Sequence, residues 1–154
     1  LINKSLAEGY FPDRLKTAVV IPVWKNGSKS ESKNYRLISR LSIFSKIIEK
    51  LIKSQVVKFL EKEEFFSDNQ YGFIKGRSTD LAVEEQVCAV TSGLEASRKV
   101  GVIYLDLAKA YDMVNIDILL HKMVKIGIRD VELEWFRSYL TGRRQKVKIG
   151  ECLS

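Results

Sequence analysis

The run from Val100 to Asp106, VGVIYLD, constrains this chain more than any other stretch. β-Branched and apolar residues crowd it, and it stops on an acid that is followed at once by small and helix-favouring residues, LAKAYD. Such a run predicts a strand. A strand that ends on a carboxylate holds that group at a sheet edge on a rigid element, which suits a metal-binding or catalytic acid. The same residues also suit an N-cap, with Asp106 opening the next helix. At this level both readings are open.

Composition narrows the class of protein. The 154 residues suffice for one domain or for two incomplete lobes, and 45% hydrophobic with 29% charged residues is globular composition. Lys and Arg outnumber Asp and Glu by 26 to 19, for a formal charge of +7, which favours a polyanionic partner. Cys88 and Cys152 lie far apart with no CxxC spacing, and His121 is the single histidine, so a zinc site or a disulfide framework is not indicated. No apolar run approaches the roughly 18 residues that span a bilayer, so no membrane partner is expected. The first residues, LINKSLAEGYF, lack a signal-peptide core and read as the inside of a longer frame, and KIGECLS stops without a closing element. An intracellular, non-secreted protein is expected.

Taken in order, Leu1 to Gly9 has weak helical patterning, and Pro12 with Asp13 marks a turn. Thr17 to Trp24 is a β-branched strand that Pro22 makes an edge or a finishing strand. Lys25 to Asn34 is a polar, lysine-rich tip that reads as mobile, and YRLIS beyond it pairs back as a hairpin carrying Lys25 and Arg36. By itself such a tip is a solvated basic loop. Leu41 to Glu64 has helical periodicity, with Phe44, Ile47, Ile48, Leu51 and Ile52 on the core stripe and Ser45 on the polar face. Phe65 to Thr79 mixes glycines, aromatics and cations. Glycine lets the backbone approach a nucleic-acid strand, a ring can stack, and a cation neutralises phosphate; the same composition also makes a tight packing corner. Asp80 to Ser97 is a helix capped by Thr79 or Asp80, burying Leu81, Val87, Val90 and Leu94. Val114 to Ile126 is a helix stopped by Gly127, Asp130 opens another anchored by Trp135, Phe136, Tyr139 and Leu140, and a basic corner leads to a strand with Val147 and Ile149.

Four blocks carry a resemblance. LDLAKAYDMVN is similar to the first catalytic motif of non-LTR, jockey-like retrotransposon reverse transcriptases. FPDRLKTAVVIPVWKNGSKSESKNYRLIS resembles their opening fingers segment, with Leu37 where the family usually has Pro. SDNQYGFIKGRST resembles their SxxQYGFRKGRST block, with Ile74 in place of Arg, and WFRSYLTGRRQKVKIG resembles the segment before the second palm motif.

The resemblance implies an α+β fold, with residues 1–98 as fingers (helices plus a small β-hairpin) and residues 99–154 as the first part of a palm sheet. It implies an RNA-directed DNA polymerase acting on an RNA template, a DNA primer and deoxynucleoside triphosphates. Lys25 and Arg36 would cover the triphosphate, backbone amides at Lys109 and Ala110 would meet phosphates, and Tyr111 would lie under the sugar. Gln70, Gly72, Phe73, Lys75 and Arg77 would face the template. Asp106 and the carbonyl of Leu107 would bind Mg²⁺, a hard cation that prefers oxygen ligands. The adjacent acid pair of the family's later motif does not occur here, and one carboxylate cannot hold two metals, so the isolated chain is expected to be inactive. The alternatives are a non-catalytic basic nucleic-acid-binding fragment or a decayed retroelement remnant. An unrelated two-metal nuclease would not explain the fingers blocks in this order.

Overall fold

A computed structural model describes residues 2–108 and 110–154. The chain divides into two compact units, one of Leu1–Lys53 with Ala110–Ser154 and one of Ser54–Lys109.

The first unit is built on a mixed sheet. Strand β1 (Thr17–Trp24) pairs antiparallel with β2 (Tyr35–Arg40) and parallel with β3 (Arg144–Ile149), and β3 pairs with the short β4 (Cys152–Leu153), giving the order β2-β1-β3-β4. β1 is therefore interior and not the edge strand that Pro22 suggests. The proline is tolerated because β3 pairs only from Thr17 to Val20, so Pro22 lies beyond it and faces only Leu37 of β2.

Four helical segments complete this unit: α1 (Ile2–Ala7), the first half of α2 (Ile43–Lys62), α4 (Ile116–Lys125) and α5 (Asp130–Leu140), with α5 packed on α1 and α4. Asn115 caps α4 by accepting from the Ile118 amide at 3.0 Å. Its far end closes as expected at Gly127, which has φ +99°, and the Ile128 amide reaches back to the Met123 carbonyl at 3.0 Å. That bond lets Ile128 and Met123 bury together across the helix end.

The core centres on Trp135, which is 2% exposed. It stacks on Tyr139 at 5.4 Å, meets Phe11 edge-on at 5.5 Å, and donates its indole N–H to Ser5 Oγ at 3.0 Å. Ser5 passes the interaction on by donating to the Tyr10 carbonyl. Phe11, Val20, Ile48, Ile52 and Leu120 complete the buried set.

Three polar residues among those described are buried as well: Ser5, Ser45 and Lys16. Ser45, expected on the polar face of α2, is fully buried because its hydroxyl donates to the Leu15 carbonyl at 3.1 Å and its amide donates to Ser42 Oγ. Of the stripe expected to be core, Ile48 and Ile52 are buried, while Phe44, Ile47 and Leu51 are exposed. Lys16 is 6% exposed, with its ammonium 2.9 Å from Asp13 and 3.4 Å from Ser138 Oγ. Satisfying the head group in this way makes burial of the stem possible.

The second unit has a different character. It holds the end of α2, the loop from Glu63 to Ser78, α3 (Thr79–Glu95) and the segment that follows, and none of its described residues is buried. Ser78, and not Thr79 or Asp80, caps α3, accepting from the Leu81 amide at 3.2 Å. Leu81, Val87 and Leu94 of its expected stripe are exposed.

The strand expected from Val100 to Asp106 is not formed. Residues 100–107 are irregular, with Ile103 and Leu105 at 85% and 91% exposure. An apolar β-branched run becomes a strand only when a neighbour satisfies its N–H and C=O groups, and no described segment pairs with it. The cap reading of Asp106 fails as well, because the next helix begins at Ile116 under Asn115. The class is α+β as expected, with the hairpin and the C-terminal strand joined in one sheet.

Candidate nucleotide and template site

Lys25 and Arg36 are set by the register of the hairpin. Val23 pairs with Arg36 and Trp24 with Tyr35, and the Lys25 amide donates to the Asn34 carbonyl at 2.8 Å. Residues two apart on a strand share a face, so Lys25 and Arg36 are diagonal neighbours on one side of the ladder, roughly 7–8 Å apart by strand geometry. Both are exposed, and neither forms an ion pair among the described residues. The strand carrying Arg36 runs unbroken through Leu37 to Arg40.

The tip beyond them is more ordered than its polar composition suggests. Trp24 Nε1 donates to the Gly27 carbonyl at 3.2 Å, Asn34 Nδ2 to the Ser28 carbonyl at 2.8 Å, and the Tyr35 hydroxyl to the Lys29 carbonyl at 2.8 Å. The Lys29 ammonium lies 5.5 Å from the centre of the Trp24 ring. Gly27 is required here: its φ is +76°, and a Cβ would sit 2.8 Å from Asn34 Nδ2.

In the second unit, Arg77 closes the loop from Ser67 to Ser78 on itself and, of the other expected template residues, reaches Gln70. The Arg77 guanidinium donates to the carbonyls of Ser67, Asp68 and Gln70, lies 3.5 Å from the Asp68 carboxylate and sits 5.7 Å from the centre of the Tyr71 ring. Gln70 Nε2 donates to the Gly72 carbonyl at 3.3 Å. Phe73 is 88% exposed and takes φ +64°, a left-handed conformation that costs a bulky residue on the order of 1 kcal/mol. Lys75 is exposed and makes no ion pair among the described residues. The space beside Gly72 is open.

Asp106 and Leu107 belong to the second unit and are exposed in irregular backbone. Ala110 and Tyr111 belong to the first unit, in a turn that runs to Met113, with both side chains exposed. Lys109 lies outside the described residues. Among the described residues no three His, Cys, Asp or Glu side chains gather where they could hold a metal ion. Asp106 alone does not fit a two-metal centre, which needs several oxygen ligands fixed close together.

Sequence reasoning missed two polar arrangements. The Tyr10–Asp13–Lys16 cluster supports the start of β1: Tyr10 and Lys16 both bond the Asp13 carboxylate, and the Lys16 carbonyl accepts from the Arg144 amide at 3.1 Å where β3 begins. The hydrogen bond from Tyr10, then the one from Lys16, hold the Asp13 carboxyl below its usual range. At the basic corner, Arg143 is occupied by the Tyr139 carbonyl at 3.1 Å and by the Tyr139 ring at 4.8 Å. Within the Tyr10–Asp13–Lys16 cluster and between Arg143 and Tyr139 the partners are only three or four residues apart, but residue type and spacing alone do not show which of them bond.

A cation-bearing hairpin, a glycine–aromatic–cation loop and an acid after an apolar run follow one another in that order along this α+β chain. The family model of reverse transcriptase (RNA-dependent DNA polymerase) matches residues 24–152, and the chain belongs to that family. It is 28% identical over 161 residues to the probable RNA-directed DNA polymerase from transposon BS of Drosophila melanogaster, covering 100% of this chain and 17% of that protein. It is 28% identical over 155 residues to the RNA-directed DNA polymerase from mobile element jockey of Drosophila funebris, covering 100% of this chain and 17% of the relative. The X-element protein of Drosophila melanogaster gives 28% over 146 residues, with 94% and 16% covered. The chain thus spans about a sixth of the length of these curated relatives. No helix among the described residues is long and apolar enough to cross a membrane.

Proposed function

We propose that this chain is the fingers portion (residues 1–98) and the first palm residues (99–154) of a non-LTR retrotransposon RNA-directed DNA polymerase. The observation that carries the reading is the hairpin register, which makes Lys25 and Arg36 diagonal neighbours on one face of an ordered β-ribbon, without an ion pair among the described residues. Two fixed cations on a rigid element suit the triphosphate of an incoming deoxynucleotide. In the same reading the loop carrying Gln70, Gly72, Phe73, Lys75 and Arg77 faces the RNA template strand, the amides of Lys109 and Ala110 meet phosphates, and Tyr111 lies under the sugar.

Mg²⁺ is the cation proposed for the longer protein, with Asp106 and the Leu107 carbonyl as this chain's contribution. In this reading the isolated chain binds nucleic acid without extending a primer, since one carboxylate cannot hold two metals and the adjacent acid pair of the family's later motif does not occur in it.

The test restores the remaining polymerase sequence from a jockey relative and measures primer extension on an RNA template. Extension by the chimera, lost on Asp106→Asn with template binding retained, supports the reading, since the amide keeps the shape of the carboxylate and loses its charge. A chimera that extends equally well with Asp106→Asn overturns the role given to Asp106. Extension by the unfused chain overturns its assignment as an incomplete polymerase.

A further inference from the structure

We propose that Arg77 is a positioning residue for the template strand: it clasps the backbone of its own loop, holds Phe73 outward as the ring on which a base stacks, and leaves Lys75 to neutralise phosphate. This rests on the polymerase reading above and names how one part of that site works.

The geometry of Arg77 carries the inference. Its guanidinium bonds three carbonyls, those of Ser67, Asp68 and Gln70, within a loop that has no strand or helix of its own. Its Nη2 lies 3.5 Å from the Asp68 carboxylate, and its central carbon is 5.7 Å from the centre of the Tyr71 ring. With Nη1 among the loop carbonyls and Nη2 beside the Asp68 carboxylate, the guanidinium is turned into its own loop. The Asp68 carboxylate beside it also opposes a second anion. Lys75, by contrast, is exposed and without an ion pair among the described residues.

What the clasp restrains is an unfavourable backbone. Phe73 lies between the clasped carbonyls and Arg77 itself and holds φ +64° with its side chain 88% exposed. Left to itself a phenylalanine would leave that conformation, so the surrounding contacts must impose it. An exposed ring held on a fixed backbone, beside an open glycine and a cation, is a stacking platform for single-stranded RNA. Lysine cannot replace arginine here, because its single ammonium nitrogen cannot sit among the three carbonyls while a second nitrogen reaches the Asp68 carboxylate.

The test uses the 154-residue chain, a labelled oligouridylate, and amide relaxation in the free protein. Arg77→Lys is expected to loosen residues 67–77 while α3 stays ordered, and to weaken RNA binding about tenfold, the loss of one base–ring stack. Phe73→Ala is expected to weaken binding by a similar factor with the rest of the loop still ordered. The double variant is expected to bind no more weakly than either single one, because both changes remove the same contact. Arg77→Lys that binds like the parent, or that leaves the loop as rigid, overturns the proposal, and so do fully additive losses. A parent chain that binds no RNA overturns it too, while the polymerase reading still stands or falls on the Asp106 chimera.

Discussion

The phenol of Tyr139 on α5 donates a 2.9 Å hydrogen bond to the carboxylate of Glu49 on α2, ninety residues away in sequence. Burial, followed by this bond and the charge of Glu49, raises the Tyr139 phenol from 10.0 to about 12. A raised value means that the folded state keeps a proton the unfolded chain releases. The stabilisation is therefore complete below the ordinary tyrosine range and is lost as pH rises from about 10 to about 12. Phenolate absorbance is expected to show Tyr139 titrating late, assigned by its loss in Tyr139→Phe, while Tyr10, whose phenol is also raised by its bond to Asp13, is assigned separately with Tyr10→Phe. Glu49→Gln should recover only part of the shift, because burial is the larger cause. A Tyr139 that titrates at the ordinary value in the parent would contradict this packing.

Truncating Trp135→Ala removes the stack on Tyr139, the edge contact with Phe11 and the donor to Ser5 together. The expected loss is about 3–5 kcal/mol, the range for emptying a buried aromatic site, read from urea unfolding. Trp135→Phe refills much of the volume but removes the donor to Ser5 Oγ, so it is expected to fall between the parent and the alanine variant. Equal losses for the two would mean that the hydrogen bond, and not packing, dominates.

At the acid end, Asp13 carries the opposite sign. Its depressed carboxyl favours the folded state above the ordinary aspartate range, and that contribution disappears as pH falls through the depressed value. Asp13→Asn is expected to be less stable than the parent at neutral pH, since it leaves the Lys16 ammonium without its partner. The two proteins should converge in strong acid. A gap in urea midpoint that is unchanged from neutral pH to strong acid would rule out the linkage.

The two hairpin cations give a measurement that does not need a complete enzyme. Lys25→Ala and Arg36→Ala should each weaken RNA binding, and each should reduce the slope of log affinity against log salt by about 0.7, the counterion release for one single-strand phosphate. A slope that stays at the parent value in both variants would remove these residues from the phosphate-contacting surface.

The helices were legible because their signals are local. Apolar periodicity, Gly127 at a positive φ and the anchor at Trp135 lie within a few residues of the elements they define. The hairpin was legible for the same reason. Burial of Ser45 and Lys16 was not, since each depends on a partner distant in sequence: the Leu15 carbonyl for one, and Ser138, which joins the nearby Asp13, for the other. The run ending at Asp106 shows the complementary failure. Its residues favour a strand, but strand formation is a property of a pair, and propensity in one segment does not supply a neighbour. The loop around Arg77 was recognisable as a glycine–aromatic–cation loop, whereas the use of its arginine on backbone carbonyls was not, because composition does not reveal which acceptors a guanidinium finds.

The parallel pairing of Thr17 with Arg144 sets a timetable for synthesis. The β1–β2 hairpin can close as soon as Arg40 has cleared the ribosome, but the other edge of β1 has to wait for the last dozen residues of the chain. During that interval an apolar β-branched strand presents unpaired N–H and C=O groups, a template on which a second nascent chain can add. A transcript broken anywhere between β2 and β3 therefore yields a product with a sticky edge as well as one without its C-terminal strand, and damage to the element's coding sequence in that interval is expected to produce aggregates more readily than soluble fragments.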